Sequence, residues 1–456
     1  MLTRKRSEIR KQKPWQALVI GVALALLSLH ALLMAQPPQP PIRLALAHVT
    51  VIDVTRGSTE PDMMVLLAGD RIEEIYKAGA KNPPKTTRVI EASGKFLIPG
   101  LWDMHVHIQD APAVFARLYL AHGVTGIRDM RMELDSLVEL RAQVARGEIL
   151  APRLVASGPA LDDPPPEWPL PLKMRIKTAA EARDAIGVLK AKGVDFVKVH
   201  NFTTREAFFA IAEETRQQRL TFVGHVPLSV SIREAVEAGQ RSIEHLSEFR
   251  IVEECSDPAK RQDVIALLRR YETWQTPTLV TLRLIGQGVT PDEGRARYVP
   301  PSVRQFWKLT DAMLQGLTEE QKTTMSQRYK EALPLVGEFH RKGIGILAGT
   351  DSPAMSGVVP GFSLHDELAL MVEAGLTPLQ ALQTATLQPA RFLGRLRDLG
   401  TVEQGKLADL VLLDANPLDD IRSVRKISAV IVQGKLLDRA SLDTVLREAE
   451  KGAREH

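Results

Sequence analysis

Short apolar runs alternate with longer amphipathic stretches through the middle of the chain. Eight of these runs have the length and β-branched content of buried strands, and several are separated by stretches with helical periodicity. The runs lie at 102–107, 123–130, 153–158, 196–200, 221–226, 241–246, 274–280 and 343–351. Eight strands alternating with helices predict an α/β protein with a (β/α)8 TIM barrel, here placed at residues 99–394.

Both flanks of this region have shorter alternating segments punctuated by glycine-containing turns. Such segments are typical of antiparallel strands. We therefore expect a small β-sandwich domain built from both chain ends, with its first part at 42–98 and its second at 395–442. A C-terminal helix or tail is expected at 443–456.

Two connections are too long for simple crossovers between strands. Residues 162–175 contain five prolines and include Trp168, whereas residues 285–340 are mostly polar and helical in pattern. Long loops that follow barrel strands often cover the active site. Both connections are therefore candidates for a substrate pocket, with surface decoration as the alternative. Trp168 is predicted either to contact the substrate or to fix its own loop.

The N-terminal segment has its own pattern, in which basic residues precede about twenty mostly apolar ones. Residues 1–35 are predicted to be a signal peptide or a membrane anchor, and 36–41 a proline-rich linker. Either reading places the rest of the chain outside the cytoplasm, as a periplasmic, secreted or outward-facing anchored protein. A membrane contact is expected only through this segment, if it is not cleaved.

Charge and cysteine content narrow the classes of function. The chain of 456 residues has 59 basic and 55 acidic residues. Six of the basic residues but only one acidic residue lie in residues 1–35, so the remainder is nearly neutral. This balance gives no electrostatic case for a nucleic-acid partner. The single cysteine, Cys255, excludes an intramolecular disulfide and a cysteine-based zinc site.

Metal-ligating residue types interrupt the apolar runs near their C-terminal ends, where a barrel collects its catalytic groups. These residues are His105, His107, Lys198, His225, His245 and Asp351. His105 and His107 alternate, so a strand would place both imidazoles on one face, as a metal site needs. A hydrogen-bonded structural role is the alternative for any one of them, but six convergent groups favour a metal site.

The stretches that carry these residues resemble the amidohydrolase superfamily of metal-dependent hydrolases. They read PGLWDMHVH, FVKVH, VGHVP, IEHLSE and GTDSP, and the resemblance extends over nearly all of 42–440. Residues 361–394 are similar to the branch that contains Xaa-Pro dipeptidases (prolidases), imidazolonepropionase-like enzymes and the ochratoxin amidase. The continuation KVHNFTTRE departs from the dipeptidase pattern and disfavours Xaa-Pro specificity.

The resemblance implies two divalent ions, with zinc expected from the mixed nitrogen and oxygen ligands. His105, His107 and Asp351 would hold one ion, and His225 and His245 the other. Lys198, carboxylated on its side-chain nitrogen, would bridge them as a carbamate; a free lysine is the alternative. A metal-bridging hydroxide would then hydrolyse an amide, dipeptide, N-acyl amino acid or lactone bond, with Asp351 as general acid and base.

Other substrate contacts and functions remain open from the sequence. His200 shares strand parity with Lys198 and is predicted to face the substrate, and Arg128 is predicted either to bind a substrate carboxylate or to pair with a barrel acid. The alternative functions are a mononuclear deaminase or cyclic-imidazolone hydrolase and, more remotely, a non-catalytic binding protein. The expected partner is a small molecule, and a homo-oligomer is left open.

Overall fold

The structure is a computed structural model that describes residues 43–165, 173–288 and 292–455. The predicted signal or anchor segment (1–35), the linker (36–41) and Trp168 lie outside the described residues. Among the helices that the structure describes, none is both long and apolar enough to cross a membrane.

The strands follow one another in two groups, a flanking group and a central group. In chain order the strands are β1 (Arg43–Asp53), β2 (Ser58–Ala68), β3 (Arg71–Lys77), β4 (Arg88–Glu91), β5 (Phe96–Pro99), β6 (Leu101–Val106), β7 (Val124–Asp129), β8 (Arg153–Ala156), β9 (Ala160–Asp162), β10 (Lys173–Arg175), β11 (Phe196–Val199), β12 (Thr221–Gly224), β13 (Ser242–Glu244), β14 (Trp274–Thr276), β15 (Leu410–Leu413), β16 (Ile427–Val432) and β17 (Lys435–Asp438).

Helices occupy most of the connections between central strands. They are α1 (Pro112–Ala121), α2 (Leu134–Ala145), α3 (Ala179–Ala191), α4 (Arg205–Gln217), α5 (Ile232–Glu237), α6 (Arg250–Glu254), α7 (Pro258–Arg270), α8 (Leu279–Gln287), α9 (Glu293–Ala296), α10 (Pro301–Gln315), α11 (Glu319–Arg341), α12 (Phe362–Glu373), α13 (Pro378–Thr384), α14 (Leu387–Phe392) and α15 (Arg439–Glu455).

The central strands form a closed ring of parallel segments. β6, β7 and β8 pair in parallel, and so do β11, β12, β13 and β14. A hydrogen bond of 2.9 Å from Asp195 N to Ala156 O joins the two groups. On the other side, residues 344–352 close the ring, since they bridge to β14 at Ile346 and to β6 at Ser352. The seven predicted runs up to residue 280 therefore contain strands, whereas the eighth makes isolated bridges.

The segments that flank the ring in the sequence form one mixed sheet, where the sequence predicts a small β-sandwich from the same two segments. Its strand order is β17-β16-β15-β5-β1-β2-β3, with β4 also paired to β1. Because side chains alternate along a strand, β1 contributes to two apolar clusters. Leu44 and Leu46 belong to one, and Ala45 and Ala47 to the other. β15 pairs with β5, and β5 ends just before β6 of the ring, so the sheet continues directly into the site-bearing part of the chain.

Several of the helices that follow central strands begin with a side-chain cap, which helps to fix where the chain turns into the helix. In α3, Thr178 and Glu181 form a reciprocal capping box, and Ala182, Ile186 and Leu189 are buried on one face. In the ring itself, a Cβ on Gly126 would lie 2.1 Å from the Trp102 ring, so glycine is needed for that side chain to fill the interior.

Candidate active site

The C-terminal ends of the ring strands bring the six predicted ligands to one cavity. His105 and His107 come from the end of β6, and Lys198 from β11. His225 and His245 directly follow β12 and β13, and Asp351 lies in the segment that closes the ring. All six line a cavity of about 330 Å³. The structure thus places them together, and their role as metal ligands stays a prediction at this point.

Asp351 is the centre of the closest contacts. Its Oδ1 lies 2.9 Å from His107 Nε2 and 3.3 Å from His105 Nε2. His105, His245 and Asp351 each offer a ligand atom, and the three atoms lie within 4.8 Å of one another. The resemblance assigns His105 and Asp351 to one ion and His245 to the other, so this group combines predicted ligands of both ions.

Three of the four histidines are anchored through Nδ1, which leaves Nε2 directed toward the cavity. The pairs are His105 with Glu244 Oε2 (2.9 Å), His225 with Asn201 Oδ1 (2.7 Å) and His245 with Thr278 Oγ1 (2.7 Å). Carboxylate and amide oxygens only accept, so His105 and His225 donate through Nδ1 and keep a lone pair on Nε2, whereas the Thr278 hydroxyl can either accept from His245 or donate to it. Nε2 of His105 is buried and has no hydrogen-bond partner among the described residues. An Nδ1 anchor with a bare Nε2 is the arrangement of a metal-binding histidine, so these residues fit a metal ion.

The protonation states also suit metal binding. Burial lowers the pKa of His107 to about 3, and burial also holds the pKa values of His225 and His245 well below the usual range. These imidazoles are therefore neutral near pH 7, as ligation requires. Burial opposes ionisation of Asp351, but His245, His105 and His107 around it hold its pKa well below the usual range.

Lys198 is buried without, among the described residues, the hydrogen bonds or ion pair that normally compensate a buried lysine. The residue is 2 % exposed, and no hydrogen bond or ion pair to it is found in the described part of the chain. Burial lowers its pKa to about 8, against the opposing charges of Glu244 and Asp351. The neutral amine that becomes accessible near that pH is the form that can react with CO2, which is consistent with the predicted carbamate.

The backbone at two of these ligands is left-handed. Residues 245–249 all have positive φ, between 47° and 72°, and Asp351 has a φ of 63°. This conformation is unfavourable for residues other than glycine and is found mainly where function demands it. The turn at 245–249 reverses the chain directly after β13, so that both His245 and Glu248 line the cavity.

Comparison with known proteins agrees with this geometry. The model of the amidohydrolase family matches residues 96–437. Ochratoxinase from Aspergillus niger is 24% identical over 428 residues, covering 80% of each chain. Adenine deaminase 3 from Rhizobium meliloti is 23% identical over 408 residues, covering 85% of this chain and 56% of that protein. The crystal structure of a putative prolidase from Bifidobacterium longum has a TM-score of 0.71 and 27% identity, covering 90% of this chain and 99% of that one.

The chain belongs to the amidohydrolase family. It is a hydrolase that acts on carbon–nitrogen bonds, as the sequence predicts. The family generally uses divalent metal ions, and the cluster of His105, His245 and Asp351 has ligand atoms close enough together to hold one.

The sequence leaves two roles open for Arg128, a contact with the substrate or an ion pair with a barrel acid. In the structure, Arg128 holds other site residues in place and does not face the substrate cavity. Its side chain is 1 % exposed and does not line the cavity. Nη2 donates to both carboxylate oxygens of Glu244 at 3.0 Å, and Nε donates to Met104 O at 2.6 Å. The structure therefore favours the predicted alternative of an ion pair with a barrel acid. Glu244 in turn accepts from His105, so Arg128 acts on the site through Glu244.

Replacing Glu244 with glutamine tests this support. Glu244→Gln leaves the buried Arg128 without its counter-charge, and breaking such a pair destabilises a protein by about 3–5 kcal/mol. Loss of the His105 anchor should also weaken metal binding by about 10- to 100-fold. The urea midpoint and a zinc titration measure the two effects. Glu139→Gln, which removes an exposed pair with Arg146, is the matched control and should leave both unchanged. A Glu244→Gln protein as stable as the parent would contradict the assignment.

His200 faces the cavity, as its strand parity predicts. Its ring stacks on His225 at 4.2 Å between centroids, and its Nδ1 lies 3.2 Å from Asp162 Oδ2. Burial lowers the pKa of His200 to about 4, so the ring is neutral near pH 7. It can therefore both donate and accept hydrogen bonds, and its contact with substrate stays a prediction.

One part of the cavity lining is an apolar wall. It comes from α8 and α10, and most of it belongs to the predicted long connection at 285–340. Its side chains are Leu282, Ile285, Phe306, Leu309, Met313 and Leu314. Leu309 and Met313 remain 52 % and 58 % exposed, so the wall also extends to the cavity mouth. This placement agrees with the expectation that the connection contributes to the substrate pocket.

Proposed function

We propose that this chain is an exported, binuclear, metal-dependent amidohydrolase that cleaves an amide of the dipeptide or N-acyl amino acid type, or a lactone. The observation that carries the proposal is the set of strand-end ligands around one cavity, in which three histidines are anchored through Nδ1. In this reading the closed ring of parallel segments is a (β/α)8 barrel, with the site at its C-terminal end.

The residues divide into those that hold ions and those that handle the substrate. His105, His107 and Asp351 would hold one ion and His225 and His245 the second, with carboxylated Lys198 shared between them. Zinc suits this mixture of imidazole and carboxylate ligands. Bound divalent ions would supply an activated water and polarise the scissile carbonyl.

Proton transfer falls to Asp351. Its carboxylate lines the cavity, is ionised at neutral pH and lies next to the histidine cluster. It would accept a proton from the attacking water and return it to the leaving nitrogen or oxygen. The apolar wall from α8 and α10 would limit the water that reaches the reacting atoms.

The names of the relatives support hydrolysis of an amide or peptide bond. They include ochratoxinase, a putative prolidase and a Xaa-Pro dipeptidase, whereas none of these names fixes the substrate of this chain. Filled ligand positions also distinguish the chain from a non-catalytic binding protein on the same fold, which need not keep them.

Deamination at a single ion is the second candidate function. The tightest cluster contains only His105, His245 and Asp351, and adenine deaminases are among the relatives. In this alternative Lys198 stays a free amine. The position and burial of Lys198 beside the cluster favour the two-ion hydrolase.

Export rests on the pattern of residues 1–35 alone. We propose a location outside the cytoplasm, with membrane contact only through that segment. Fractionation of cells that produce the full chain tests this: recovery in the cytoplasm alone would contradict it.

Metal analysis together with a substrate panel tests the proposed activity. Protein purified without chelators should contain about two divalent ions per chain and hydrolyse at least one member of a panel of dipeptides, N-acyl amino acids and lactones. His245→Asn should lose metal and activity, whereas His48→Asn, an exposed histidine on β1, should keep both. One ion per chain with release of ammonia from adenine would favour the deaminase. A protein with neither metal nor activity on the panel would overturn the proposal.

A further inference from the structure

The guanidinium of Arg131 lines the cavity without a hydrogen-bond or ion-pair partner among the described residues. The residue lies two positions beyond β7, and its backbone N–H donates to Asp129 Oδ1 at 3.0 Å, which fixes the chain at that point. The side chain lines the cavity with His107 and Lys198. No side-chain hydrogen bond or ion pair of Arg131 is found within residues 43–165, 173–288 and 292–455, and its Nε is buried without a partner.

Asp351, Asp129 and Asp110 are near enough to attract the Arg131 guanidinium electrostatically, but none of them forms a hydrogen bond or ion pair with it in the described residues. Asp129 accepts hydrogen bonds from two backbone N–H groups, those of Ile108 and Arg131 itself. Asp351 is bonded to His107 and belongs to the metal-binding group. A guanidinium in a cavity loses hydration, and electrostatic attraction without hydrogen bonds to its N–H groups compensates that loss only in part. Divalent ions bound nearby would add further positive charge.

An anion from outside the chain would satisfy this group. Guanidinium matches a carboxylate through two parallel hydrogen bonds, which is the strongest such pairing that a protein makes with a small ligand. The cavity of about 330 Å³ suits a small molecule, and the part of its lining that comes from α8 and α10 is apolar. The site therefore combines a hydrolytic centre, one cationic anchor and one apolar wall.

We propose that Arg131 binds a carboxylate of the substrate next to the scissile amide, and that the preferred substrate is an N-acyl amino acid with an apolar group. The inference rests on the proposed hydrolase function and specifies its substrate class. Arg131 acts on binding and orientation, and the proton and metal chemistry stay with the other residues.

The contribution of the substrate carboxylate can be measured with two amides that differ only in that group. N-Benzoyl-phenylalanine and N-benzoyl-2-phenylethylamine differ by that group, and both release benzoate, which is quantified by chromatography. The parent enzyme should have the higher kcat/KM on the acid. Arg131→Met should lower kcat/KM on the acid roughly 10- to 100-fold, mainly through KM, because a charged hydrogen-bonded contact is lost. The neutral amide should change less than about twofold. Arg131→Lys should retain part of the preference, and the exposed Arg233→Met should retain all of it.

A binding measurement gives a readout that does not need turnover. Calorimetric titration of the metal-loaded protein with 3-phenylpropionate should show weaker affinity in Arg131→Met than in the parent, whereas 3-phenylpropan-1-ol should not distinguish them. Equal losses on both amides with normal metal content, or a parent enzyme indifferent to the carboxylate, would overturn the inference while leaving the hydrolase intact. Absence of both metal and hydrolysis would overturn the proposed function, and this inference with it.

Discussion

Lys198→Ala is expected to abolish hydrolysis and to remove most of the bound metal. The lysine is buried among the ligands without a hydrogen bond in the described residues, so its proposed role is to bridge two ions as a carbamate. Without this shared ligand the site would not hold both ions, and the activated water and carbonyl polarisation that they would supply would be lost together. A transition-state loss of several kcal/mol corresponds to a decrease of about 10³-fold or more in kcat/KM. Metal content by mass spectrometry and initial rates on the best panel substrate measure the two losses.

Dependence of activity on carbon dioxide distinguishes a carboxylated Lys198 from a free Lys198. Metal-free parent protein prepared in CO2-depleted buffer should regain activity with zinc only when bicarbonate is added. Lys198→Ala should not respond to bicarbonate at all. Lys190→Ala, an exposed lysine on α3, is the control for general effects of lysine removal and should behave like the parent. Full metal content and activity in Lys198→Ala would exclude the bridge and move the function toward the single-ion deaminase.

That the six predicted ligands would converge could be predicted from the sequence, because each is a polar interruption of an apolar run, and all six line the cavity. His105 and His107 alternate at the end of a strand, and the same logic locates Lys198, His225 and His245. The parity argument also places His200 in the cavity. These deductions need only strand periodicity and the rule that active sites lie at the C-terminal ends of barrel strands.

The residues that support the ligands could not be found in this way. Glu244 and Thr278 contact their histidines across different strands, so the pairing depends on how neighbouring strands align in the ring. One feature of the sequence could have pointed to Glu244: it is an acidic residue within a buried strand, directly before His245. Arg128 had two interpretations, and only the three-dimensional proximity of Glu244 decides between them.

The eighth predicted strand, at 343–351, is a case in which the sequence pattern did not produce a regular strand. Its sequence, GIGILAGTD, has the composition of a strand, yet the structure forms only isolated bridges there. A Cβ on Gly349 would lie 2.9 Å from the Cβ of His105, so glycine lets this segment approach β6 closely. The close approach brings Asp351 to the histidines while the backbone is left-handed at that residue. Close packing at the site thus replaces regular strand pairing.

Asp351→Asn is expected to lower kcat by about 10²- to 10⁴-fold, the range for removal of a general acid–base group. Asparagine keeps an oxygen that can contact a metal but cannot carry the proton. The assay is therefore run with zinc in excess, and metal content is measured on the same protein. Asp351→Glu, which keeps a carboxylate but displaces it, should retain more activity than Asp351→Asn.

The leaving group distinguishes a proton-transfer role from a purely ligating one. An N-acyl p-nitroanilide has a weakly basic leaving nitrogen and needs less protonation, whereas an N-acyl alkylamine needs a proton to depart. If Asp351 delivers that proton, Asp351→Asn should affect the alkylamide much more than the anilide. Equal decreases on both substrates would mean that Asp351 serves only to hold metal. A decrease of less than tenfold on both, with metal retained, would remove Asp351 from the chemistry and assign proton transfer to another cavity group, of which neutral His200 is the candidate.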